Sequence, residues 1–138
     1  MPSGLPLHWE IPLLSGLAAS TGATLARVAS REIDLSAFPS TYDSKSLQVL
    51  LHLTLEVTGG TATVVLYDIT PPIPVAITNA TLTTTSTTPV AVVSAALPVA
   101  NASGSLWISP AHLYELDIQA GPGNTVTCSG AWLSIDYI

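Results

Sequence analysis

The chain has 138 residues, of which Asp, Glu, Lys and Arg make only 9% and hydrophobic residues 48%; an ordinary soluble domain is about 25% charged. A net charge of −6 with three Lys and Arg in all argues against nucleic-acid binding, which needs a basic footprint, and gives no attraction to an anionic membrane. No run approaches the roughly 18 consecutive apolar residues of a membrane helix, and the single Cys128 leaves neither an intrachain disulfide nor a thiolate metal cage.

So few charges leave Thr, Ser and Ala to cover much of the surface, a composition prone to association. Either association is the protein's task, or the chain is a Thr- and Ser-coated monomer. The N-terminus lacks the charged n-region and compact h-region of a signal peptide, since the apolar run at residues 13–19 is short and interrupted by Gly16; synthesis in a cytoplasm without a secretion signal is expected.

Residues 1–22 are broken by Pro2, Pro6 and Pro12, which forbid a regular helix or a central strand. Leu5, Leu7, Trp9, Ile11, Leu13 and Leu14 nevertheless make the segment apolar, unlike a disordered tail. It reads as an extended arm that docks on a neighbouring subunit, or as a covering strand on its own domain. Residues 23–138 then form a single domain. Residues 23–38 mix two phases, as in a strand with a bulge or two short strands, with a helix from Thr24 to Arg31 as the alternative.

Residues 47–58 carry the strongest signal. Leu47, Val49, Leu51, Leu53, Leu55 and Val57 fall at every second position, the period of a strand buried on one face. Gly59-Gly60 predicts a tight hairpin to a return strand over 61–69. Thr70-Pro71-Pro72-Ile73-Pro74 is a stiff connection, expected to carry the chain to a second sheet. Further strands are predicted over 75–85, 90–97, 106–108, 112–119 and 125–138. The last has Ala131, Leu133, Ile135 and Tyr137 inward and Trp132, Ser134 and Asp136 outward. Seven to eight strands without a convincing helix predict an all-β fold, an antiparallel β-sandwich with jelly-roll topology.

Chemical signals are sparse. His8, His52 and His112 have no ligand spacing and read as surface or edge histidines; a zinc site needs three or four convergent ligands. Glu115 and Asp117 share one strand face and read as a solvent-facing edge. No nucleophile elbow or phosphate loop is present, so no catalytic, metal or cofactor residue is assigned. Trp107 and Trp132 are candidate interaction residues beside those of the N-terminal segment. An outward Trp132 suits a protein interface, packing under the arm, or a sugar platform.

Three motifs carry a resemblance: Leu66-Tyr67-Asp68-Ile69-Thr70, Thr84-Thr85-Ser86-Thr87-Thr88-Pro89 and Gly130-Ala131-Trp132-Leu133-Ser134-Ile135. Over about residues 45–138 the chain resembles a β-sandwich module of tailed-phage virion proteins and prophage-encoded surface proteins. The resemblance implies a non-catalytic structural or adhesive module. The module stands alone here and carries an apolar segment, which fits a small capsid decoration or cement protein better than a long fibre. The implied partners are copies of itself, a trimer by analogy, and a capsid lattice; the implied location is the virion. A carbohydrate-binding or adhesin module of a tail, fibre or cell surface is the alternative.

Overall fold

The computed structural model describes residues 8–14 and 16–138. These residues form strands β1 (His8–Leu14), β2 (Ala18–Thr21), β3 (Ala26–Ile33), β4 (Thr41–Tyr42), β5 (Lys45–Val57), β6 (Ala62–Asp68), β7 (Val75–Thr84), β8 (Val90–Val93), β9 (His112–Gln119) and β10 (Thr125–Tyr137). Two antiparallel sheets face each other. In the first, β10 and β5 lie side by side at the centre, β1 and β2 both pair with β10, and β4 and β8 both pair with β5. The second has the order β3-β9-β6-β7. The all-β sandwich expected from the alternating pattern is the observed architecture.

The core is the sum of the inward rows. Leu51, Leu53 and Leu55 of β5 and Leu133 and Ile135 of β10 meet Leu66 of β6 and Leu116 and Ile118 of β9, all fully buried. Burying each such side chain contributes about 1.5–3 kcal/mol. Cys128 is a buried core residue. The C-terminus is pinned: Ile138 donates its backbone N–H to Ser46 and accepts one in return.

Two connections and two strands depart from expectation. Gly59-Gly60 does not close a hairpin, because β5 and β6 belong to different sheets. The glycines form an arch between the layers, and only Gly60 has a positive φ, 67°, whereas a type I′ hairpin needs two such residues. Conversely, the proline-rich connection keeps the chain in one sheet, since β6 and β7 pair directly. Leu106 makes only an isolated bridge with Val99 instead of starting a strand, and the strand expected over 90–97 ends at Val93.

Of the two readings of the N-terminal segment, residues 8–14 follow the covering strand. Residues 8–14 do not form an arm distinct from the sandwich. They pair with β10 from His8↔Asp136 to Leu14↔Ala131, with a bulge after Pro12. Residues 18–21 continue along the same strand. An apolar segment with an open sheet edge beside it satisfies its backbone groups there at the least entropic cost. Residues 1–7, with Leu5 and Leu7, lie outside the described residues. The phase change in residues 23–38 is a bulge between Arg27 and Ala29 in β3, and the helix alternative falls.

Candidate functional site

Trp9, Ile11, Leu13 and Leu14 pack on their own domain. Leu13 is buried, and the other three pack against the core of their own chain. Trp9 meets Phe38 edge-on at 5.2 Å and Tyr137 at 6.5 Å. Beside this cluster a cavity of about 130 Å³ is lined by Phe38, Ser40, Leu47, Leu97, Val99 and Ile108.

Trp132 takes the outer face of its sheet, as its parity predicts. Its ring stacks on His52, its neighbour on β5, with centroids 5.2 Å apart and planes 5° from parallel. Pro12 is its neighbour on β1. His52 Nε2 and Ser134 Oγ lie 2.8 Å apart. The indole also lies over Gly130, where an added Cβ would sit 3.5 Å from Cζ3. On the same face His8 bonds to Asp136 and Glu10, and those two contacts raise its pKa.

Trp107 is likewise engaged within the chain. It stacks on His112 at 4.5 Å, and its backbone N–H donates to the Tyr114 hydroxyl at 2.8 Å. His112 is no surface histidine: it is buried, and Nδ1 meets Oδ2 of the equally buried Asp68 at 2.6 Å. Asp68 Oδ1 accepts the backbone N–H of Thr70. Burial and that hydrogen bond place Tyr114 at a pKa of about 12, burial raising it and the bond from Trp107 lowering it. Trp107 and Trp132 thus each commit one ring face to a histidine of the same chain, leaving at most one face for stacking a sugar.

The Glu115–Asp117 pair is not at a sheet edge. Its strand β9 lies between β3 and β6, and Asp117 is flanked by Arg27 and Val65. Asp117 Oδ1 is buried without a hydrogen-bond partner. Burial first, then the neighbouring Glu115, push its pKa up to about 7, against the lowering effect of Arg27. Glu115 is itself held by Arg27 Nε at 2.8 Å. Among the described residues no group of three or more His, Cys, Asp and Glu is placed to hold a metal ion.

A further feature of the surface comes from a stretch of sequence rather than from single residues. Residues 69–111, roughly a third of the chain, contain no Asp, Glu, Lys, Arg or His. The fold turns this run into one flank of the sandwich. Strand β7 ends the second sheet, β8 lies outside β5 in the first, and the two approach each other. The opposite flank, where β1 and β3 close the sandwich, carries Glu10, Arg27, Arg31 and Glu32, and Arg31 Nη1 donates to the Pro12 carbonyl at 2.8 Å. Ile73, in the turn into β7, is 79% exposed, and Val93 of β8 is 49% exposed. The charge-free run was readable from the sequence; that it forms one face was not.

No family model matches the chain, and no curated protein or solved structure matches it. Among the described residues no helix is long and apolar enough to cross a membrane.

Proposed function

We propose that this chain is a non-catalytic virion structural protein, a capsid decoration or cement protein that works in assembly with copies of itself and a capsid lattice. The observation that carries the reading is the charge-free flank of β7 and β8. A surface left in water is ordinarily about 25–35% charged, and an uncharged face with exposed Ile73 and Val93 suits burial against protein. The strand order supports the jelly-roll reading: β1 and β2 end to end, then β10, β5 and β8, face β3-β9-β6-β7, with the two-residue β4 as an addition beside β5 and most connections crossing between the layers. The action is mechanical. At about 25 cal/mol per Å² of buried apolar area, modest contacts repeated over a lattice sum to a large stabilisation of the shell.

The test uses density-gradient-purified particles produced by the genome that encodes the chain, with and without its gene. Decoration requires the protein as a stoichiometric component, with intact shells that rupture at lower temperature when it is missing. Absence of the protein from purified particles refutes the reading.

A further inference from the structure

Edge strands present unpaired N–H and C=O groups, and soluble proteins guard them with charge, proline, bulges or short length. Three of the four outer edges here are guarded in those ways. Strand β3 carries Arg27, Arg31 and Glu32 and a bulge. Strand β1 has Pro12 and a bulge, and Arg31 caps its carbonyl. Strand β8 is four residues long. Strand β7 has ten residues with neither charge nor proline; its one guard is a bulge confined to residues 77–80, where Asn79 has φ 68°.

The first half of β7 is covered within the chain: Thr78 donates its backbone N–H to Gly104 and Asn79 Nδ2 donates to Ala96, both at 2.8 Å. Residues 81–84 have β6 as their one strand partner among the described residues. The side chains of Thr81 and Thr83 are exposed.

We propose that residues 81–84 of β7 pair antiparallel with the same residues of a second copy, joining two four-stranded sheets into one of eight strands. This rests on the assembly reading above and adds the contact and its symmetry. The occupant is a second copy for an electrostatic reason. Two chains of net charge −6 repel, and the seam between them is least opposed where neither presents a charge. An antiparallel edge is also self-complementary about a two-fold axis, and a register centred on Leu82 places Thr81 opposite Thr83 on the exposed face, a favourable cross-strand pair.

The experiment measures the solution mass of the full chain over a range of concentrations, beside a Thr81→Lys, Thr83→Lys double variant. Both positions are exposed, and a thermal melt by circular dichroism checks that the variant is folded. Like charges placed across the seam are expected to weaken the dimer at least about tenfold. In the wild-type chain, amide exchange at residues 81–84 is expected to slow as concentration rises, a readout that stands even if the variant does not fold. A trimer, or an oligomer that the lysines leave intact, overturns the β7 pairing and leaves the assembly reading standing. A wild-type monomer at all concentrations overturns the pairing together with the self-association part of that reading.

Discussion

His112 and Asp68 meet at 2.6 Å with both side chains buried, at the start of β9 and the end of β6. Each is the other's means of tolerating burial, since Asp68 accepts from the imidazole and from the Thr70 N–H. Substituting Asp68→Leu strands the imidazole and removes the turn's acceptor. The cost expected is about 3 kcal/mol, against a smaller loss for Asp68→Asn, which keeps an acceptor oxygen. Urea unfolding of the two variants checks the order; equal losses would show that the hydrogen bonds do not set the cost.

Asp117 gives a pH dependence with a defined sign. Its folded-state pKa, about 7, lies above the ordinary aspartate value of 3.8. The folded state therefore holds the proton more tightly, and this contribution to stability is full below about pH 4 and is lost as pH rises through 7. Asp117→Asn should flatten that fall and stabilise the protein at pH 8 more than at pH 5, by on the order of 1 kcal/mol after discounting for partial solvent access. Denaturant midpoints at the two pH values measure it, and an equal shift at both would contradict it.

Removing residues 1–22 should not leave an intact sandwich. It takes away β1 and β2, exposes one edge of β10, and uncovers core packed by Trp9, Ile11 and Leu13. A loss of several kcal/mol is expected from that apolar area. A chain beginning at Ala23 should melt far lower than the full chain or aggregate; a cooperative melt within a few degrees of the parent's would argue that these strands contribute little.

The glycine end supplies a test of the arch. Gly60 has φ 67°, and a Cβ on Gly59 would come within 2.9 Å of Asn124 Oδ1. That oxygen accepts from the Thr58 hydroxyl, which in turn accepts the Thr125 N–H. Gly60→Ala should cost about 1 kcal/mol through backbone strain. Gly59→Ala should cost a similar amount by displacing Asn124, and the Asn124→Ala background should relieve only the second. A double-mutant cycle on thermal stability distinguishes them.

Alternation along β5, β9 and β10 determined which residues are buried. Leu51, Leu116 and Leu133 sit in the core because a period of two puts them on one face whatever the neighbouring strand. The same alternation is satisfied by a hairpin and by an arch, so it did not decide that β5 and β6 lie in different layers. That choice rests on β5 having both of its edges occupied, by β10 on one side and by β4 and β8 on the other. Composition likewise announced a protein poor in charge, but the placement of residues 69–111 along one flank depended on two edge strands from different sheets coming together. The partnership of Asp68 with His112, 44 positions apart, was decided only by tertiary structure, because a buried hydrogen bond depends on proximity and desolvation, and neither is written in the spacing of residues along the chain.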